Sequence, residues 1–356
     1  MRLLLCTRHG ALGSSSRLRL MAYRPWLEQI GFRVTISPLF VDADLRRLYR
    51  GGRRGRAQDV LRAYGRRLYV ALGIRSYQLL WIEKELFPFL PAGMDGLLRR
   101  IGVPYALDYD DATFHRYDQH ASPLVRWLLG RRLIPLLQGA RLVTVGNDYL
   151  AEYARAAGAL DVREVPTVVD TRHYAVSRES ADGEVRIGWI GSPSTAQYLD
   201  MVREPLRRLA QQRPLRFVVI GAREIPAMGV PLELHDWSAD TEAALLATVH
   251  MGIMPLRDGP WERGKCGYKL IQYMACGKPV IASPVGANIG LVTPAVGLLA
   301  ADDGQWLTAL RTLAADARLR QRLGHAGRAL VERHYALPAW GPRVAAWLRA
   351  AAGPQS

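Results

Sequence analysis

The chain has 356 residues, 49% of them hydrophobic, and a formal net charge of +16. It is long enough for two domains with separate cores. It has no apolar run of about 18 residues and opens on MRLLLC, too short for a signal-peptide core, so neither a membrane-spanning chain nor classical export is expected.

Read in chain order, Arg2 to Cys6 (RLLLC) is an opening strand. The Gly- and Ser-rich turn GALGSSSRLR follows and predicts a helix running to about Ile30, with Gly31 as its stop. Further strand-like runs fall near residues 33–38, 78–83, 104–109, 141–145 and 162–166. A second series lies near 185–191, 215–220, 232–235, 251–256, 279–284 and 296–300. Helical segments separate most of them, which predicts two doubly wound α/β domains. The expected division is 1–170, a polar linker 171–184 (TRHYAVSRESADGE), a second domain 185–340, and a C-terminal helix 341–356 that is a candidate for packing back on the first domain.

Charge is concentrated in residues 46–75, which hold ten arginines against one acid, Asp59, for a local +9. Leu61, Tyr64, Leu68, Tyr69 and Leu72 interleave with these arginines. Such a basic amphipathic stretch suits an anionic membrane surface. A solvated arginine-rich face is the bland alternative, and no nucleic-acid-binding pattern accompanies it. After the apolar run VPYAL comes the acidic run Asp108, Asp110, Asp111, with His115 four residues beyond it. Clustered acids at a strand end can meet substrate, hold Mg²⁺, cap a helix or pair with arginines.

Lysine is scarce: four residues, at 84, 265, 269 and 278, against 44 arginines. Three of the four lie in 264–290, GKCGYKLIQYMACGKPVIASPVGANIG. Lysine serves a phosphate as a compact point charge, although drift in a biased composition would also leave a few. The segment reads as a strand (MGIMPL), a loop to Gly264, a helix from Lys265 to Cys276, a left-handed stop at Gly277, and a strand (KPVIAS). In that reading Lys265, Lys269 and Gln272 share one helix face beside the carboxyl ends of parallel strands, a place for an anionic ligand with hydroxyls. The cysteines, Cys6, Cys266 and Cys276, form no CxxC pair and are expected as reduced thiols of a cytoplasmic protein.

The stretch YMACGKPVIASPVG resembles the donor-site signature of family 4 glycosyltransferases, retaining enzymes of the GT-B fold. The variant KCxxKxxQYMA matches one branch of that family. The two glutamates of the common form are absent: Gly264 and Gln272 stand at their aligned positions. VPTVVD at 165–170 and VRIGWIG at 185–191 extend the resemblance over nearly the whole chain. The resemblance implies two Rossmann-like domains facing across a cleft and transfer of a sugar from a nucleotide-diphosphate donor without a metal or other cofactor. It implies catalytic roles for Lys265, Lys269, Asp110, Asp111 and His115. Donor contacts would come from Gly13, Ser14, Gly191, Ser192, Ser194, Gly264 and Gln272, the last toward the ribose, with Gln272→Glu tolerated. The acceptor would be a saccharide or lipid-linked sugar, met by the first domain on the inner face of the cytoplasmic membrane during polysaccharide or glycolipid synthesis. A nucleotide-sugar epimerase of the same fold and a non-catalytic nucleotide-sugar or membrane-binding protein are the alternatives.

Overall fold

The structure, a computed structural model, describes residues 1–49, 56–90, 102–176 and 183–353. The chain forms two compact units, one of residues 1–167 with 340–356, the other of residues 168–339.

Each unit is built on a six-stranded parallel sheet. The first contains β1 (Arg2–His9), β2 (Arg33–Phe40), β3 (Leu79–Glu83), β4 (Tyr105–Tyr109), β5 (Leu142–Val145) and β6 (Val162–Glu164). Its order is β2-β1-β3-β4-β5-β6. The second contains β7 (Val185–Ile190), β8 (Leu215–Ile220), β9 (Leu232–His235), β10 (Met251–Met254), β11 (Val280–Ala282) and β12 (Gly297–Leu299). Its order is β9-β8-β7-β10-β11-β12. Every expected strand is present. The inner strands read as continuous apolar runs because both faces of a parallel sheet are covered. In β8, Phe217 and Val219 enter one core while Val218 and Ile220 enter the other. The strand order reverses between β1 and β3 in one sheet and between β7 and β10 in the other, which fixes where ligand crevices open at the carboxyl ends.

Three expectations are corrected. The helix after β1 is broken into a π-turn (Ser16–Leu20), a 3-10 turn (Met21–Tyr23) and an α-helix (Arg24–Gln29). The Ser16 hydroxyl accepts from His9 N–H at 2.9 Å and donates to Glu83 Oε2 at 2.5 Å, pinning the chain where a regular helix would begin. Gly31 does end the segment, at φ 90°.

The helix placed at Lys265–Cys276 starts only at Tyr268 and runs to Ala275. Gly267 precedes it in the left-handed region, at φ 66°, so Lys265 lies in the preceding loop. Lys265, Lys269 and Gln272 therefore do not share a helix face. The helix ends as expected at Gly277, with Gly277 N–H on Met274 O at 2.9 Å and Lys278 N–H on Tyr273 O at 3.0 Å. That pair of bonds is a Schellman stop.

The polar stretch read as a linker from 171 also starts too early. Tyr174 is buried in the core of the second unit. Val169 N–H bonds Tyr335 O at 2.9 Å. Residues 177–182 lie outside the described residues. At the C-terminus, Arg349 donates to Ile30 O at 3.0 Å, within the first unit.

Candidate functional site

In the second unit the crevice is framed by the turn after β7 and the loop after β10. Gly191 follows β7, and Ser192 leads into the 3-10 turn Pro193–Val202. Thr195 closes that turn, its N–H and hydroxyl both donating to Ser192 O at 2.9 Å. The Ser192 and Ser194 hydroxyls are 2.9 Å apart. After β10, a short helical turn at Pro260–Arg263 is followed by Lys265, whose N–H donates to Glu262 O at 3.0 Å. Tyr198 donates to the Glu262 carboxylate, tying the two loops together.

Lys269, in the first turn of the helix Tyr268–Ala275, reaches across this crevice. Its ammonium is 4.4 Å from the Trp189 ring centroid and 3.4 Å from Thr195 Oγ1. A Cβ on Gly191 would lie 2.5 Å from that nitrogen and 2.6 Å from the Trp189 ring, so a side chain there would push the ammonium off this position. Burial, and then the charge of Lys265, pull the Lys269 pKa from the usual lysine range down to about 7. Lys265 itself places its ammonium 5.7 Å from the Trp261 ring centroid. Two lysines, a hydroxyl-lined turn and the start of a helix with its outward N–H groups make a place for a phosphate-bearing ligand.

Gln272 is not part of that crevice. It is 2% exposed, and its amide donates to the Tyr174 hydroxyl at 3.2 Å. Tyr174 donates in turn to Glu242 Oε1 at 2.8 Å, and Trp237 Nε1 donates to Glu242 Oε2 at 2.5 Å. Gln272 is thus the end of a buried polar chain. Gly264 is buried too, its N–H on Trp261 O at 3.2 Å.

In the first unit the crevice opens between β1 and β3. Asp108, inside β4, is held by Arg19 at 2.7 and 3.0 Å and by the Thr144 hydroxyl at 2.6 Å, which makes it a buried structural group. Asp110 faces Lys84, at 2.8 Å. Burial pushes the Asp110 carboxyl up, but Lys84 and Arg19 outweigh it and hold the pKa down at about 2. Asp111 is half-buried beside it. His115 is not presented to a ligand: Nδ1 meets Asp118 Oδ1 and Nε2 meets Tyr149 Oη, each at 2.8 Å. Gly13 is buried, with room for a Cβ denied by His9 at 2.4 Å, and Ser14 beside it is exposed.

Sequence reasoning missed His9, Glu83 and Lys84. Burial and the nearby Arg8, Lys84 and Arg116 lower the His9 pKa to about 4, and its Nδ1 is buried without a hydrogen-bond partner. Glu83 Oε2 accepts from Arg8 N–H at 2.7 Å, while its buried Oε1 has no hydrogen bond and lies 3.9 Å from Lys84. Lys84 has φ 63°, a conformation that costs of order 1 kcal/mol outside glycine. These buried polar atoms without a hydrogen bond within the protein sit at the carboxyl end of the sheet, the end where ligands of open parallel sheets bind. The available signal was Lys84 itself, the one lysine outside 264–290, placed between two acids at a strand end. Among the described residues no group of three or more His, Cys, Asp or Glu side chains is arranged to hold a metal ion.

Residues 184–316 match the family model described as Glycosyl transferases group 1. No curated protein matches the sequence. Among solved structures, sucrose-phosphate synthase from Thermosynechococcus elongatus is similar at a TM-score of 0.73 and 17% identity, covering 98% of each chain. HepE of Anabaena, in complex with UDP and glucose, is similar at a TM-score of 0.73 and 15% identity, covering 98% of this chain and 100% of its own. A UDP-forming α,α-trehalose-phosphate synthase from Burkholderia xenovorans gives 0.64 and 14%, covering 99% of each chain. The fold is GT-B, and the matched family segment holds both loops that frame Lys269.

Proposed function

We propose that this protein transfers a sugar from a nucleotide-diphosphate sugar to an acceptor hydroxyl, with retention at the anomeric carbon. The observation that carries this reading is the Lys269 ammonium, lodged between Trp189, Gly191 and Thr195 at the β7/β10 crevice with its proton loosely held. Cleavage of the donor leaves charge on the departing diphosphate. A fixed ammonium at that point stabilises the charge as it develops, with Lys265 behind it. Ser192, Ser194 and the helix start offer further donors. The group 1 match over residues 184–316 supports the assignment of this crevice to the donor. The neighbour HepE was solved with UDP and with UDP-glucose, which makes UDP-sugars the first donors to try.

The first unit would take the acceptor, a saccharide or lipid-linked sugar of cell-surface polysaccharide or glycolipid synthesis. Its β1/β3 crevice offers His9, Glu83, Lys84, Asp110 and Asp111 for an acceptor hydroxyl. No cofactor beyond the donor is called for. The protein would work on the inner face of the cytoplasmic membrane, drawn there by residues 46–75; of these, 50–55 lie outside the described residues.

A thermal-shift panel of UDP-, GDP-, ADP- and TDP-sugars tests the donor assignment. One nucleotide class at about 100 times its Kd should stabilise the protein by about 2.7 kcal/mol. Lys269→Ala should remove that shift. A panel without response, or a response that survives Lys269→Ala, would count against the site.

A further inference from the structure

Helix Arg56–Leu72 is turned inside out. Leu61 (75% exposed), Leu68 and Leu72 (85% exposed) project into solvent, while Ala63 and Arg67 are buried. At 100° per residue the three leucines form one narrow stripe. Arg67 is held inside by Thr7 O at 2.7 Å and Ser37 O at 3.0 Å, so the rotation is fixed by hydrogen bonds. A second helix, Pro123–Leu129, exposes Leu124, Trp127 (81% exposed) and Leu128 on one face; Arg126 and, after the helix, Arg131 are exposed too.

The loop after β3 links the two helices. Tyr64 of the first helix donates to Pro88 O and lies 6.2 Å from Phe87, ring centre to ring centre. The exposed Phe89 meets Tyr117 edge-on at 5.4 Å. Tyr117 lies in the turn His115–Asp118, which leads into the second helix. Phe89 and the second helix therefore lie near the carboxyl ends of β3 and β4, whereas the first helix runs on to Leu72 at the opposite end of the sheet, where Gln78 N–H bonds Arg2 O at 2.9 Å.

We infer that this rim docks the first unit on an anionic bilayer, with Trp127, Leu124 and Leu128 inserted as a wedge. Arg126 and Arg131 are exposed on and just after this helix, and the chain carries a net +16, so the complementary surface is acidic. A second copy would set arginines against arginines. Interfacial helices combine Leu and Trp with Arg in this way, and the arginine side chains contribute attraction to anionic headgroups. The inference rests on the first unit being the acceptor side, and it assigns insertion to residues outside the arginine-rich stretch.

The test is sedimentation with vesicles of phosphatidylcholine alone or mixed with phosphatidylglycerol. The wild-type chain should bind the mixed vesicles at low salt. The double variant Leu124→Ser, Trp127→Ser should bind about tenfold more weakly or worse, having lost two inserted apolar side chains. Its donor-induced thermal shift should be unchanged, because both positions are exposed. Trp127→Phe should still bind, yet lose part of the tryptophan quenching that brominated lipid causes in the wild type. Equal binding by wild type and double variant would overturn the wedge while leaving attraction by arginine. No binding by the wild type would overturn membrane docking altogether, and the donor shift would still report on the proposed transfer. Self-association by light scattering that the double variant abolishes would assign the rim to a second copy instead.

Discussion

Lys269→Ala should lower turnover by roughly 10²–10³, the scale for a lost charge-stabilising donor at a reacting oxygen. The same residue sets a pH dependence. Its resting pKa of about 7 lies below the usual lysine value, so the site is largely neutral above that pH. A diphosphate binds the protonated form, and binding above about pH 7 must take up a proton. Donor affinity should therefore fall about tenfold for each pH unit above that point and level off below it. Calorimetry with a nucleotide sugar in buffers of different ionisation heat reads the uptake directly, and a pH-independent affinity would show that Lys269 does not meet the phosphates. Gln272 reverses an expectation. Gln272→Glu, tolerated if the residue held a ribose, would place a carboxylate where Tyr174 has one proton for two acids, the other being Glu242. Loss of about 1–3 kcal/mol in urea unfolding is expected, from an unmatched buried polar group. Lysine scarcity made Lys269 legible, but the inward turn of Gln272 was not, because a motif position does not say which side of a buried helix the side chain faces.

At the scale of elements, strands were legible and the helix starts at the two crevices were not. Twelve apolar runs became twelve strands because covered parallel strands leave an unbroken apolar record. The two misplaced helix starts have local causes. Ser16 spends its hydroxyl on Glu83 and the His9 N–H, and Gly267 turns left-handed just where a helix was expected to continue. Gly267 is the more testable of the two. An added Cβ there would meet Leu291 at 2.9 Å on a backbone at φ 66°. Gly267→Ala should cost about 1–2 kcal/mol from the left-handed conformation alone. It should also weaken donor binding, since this residue sets the step between Lys265 and Lys269. Unchanged stability and affinity would mean that the loop relaxes without disturbing either lysine.

At the scale of the molecule, each unit carries its own reversal of strand order, and the residues with unspent chemistry collect at those two reversals. The sequence announced one of them through its lysines and a signature-like stretch. The other was spread over β1, β3 and β4, distant in sequence, and only the fold gathers His9, Glu83, Lys84 and Asp110 together. The acidic run shows the difficulty. Asp108 and Asp110 are two positions apart, yet one is a structural anchor for Arg19 and the other faces Lys84 in the crevice. Removing the anchor with Asp108→Ala should destabilise the first unit by about 3–5 kcal/mol in chemical denaturation, because it strands the buried Arg19 charge.

The cysteines give this molecule a native reporter. Cys6 and Cys276 are buried, and burial pushes both thiols up, Cys276 to about 12. Cys266 is partly exposed and stands next to Lys265, in the loop that leads to Lys269. An alkylating reagent under native conditions should thus add once per chain, with the adduct on the 266-containing peptide by mass spectrometry. Donor present at saturation should slow that addition, turning a chemical accident of the loop into a clock for occupancy. Rapid addition at Cys6 or Cys276 would instead expose breathing of the cores that bury them.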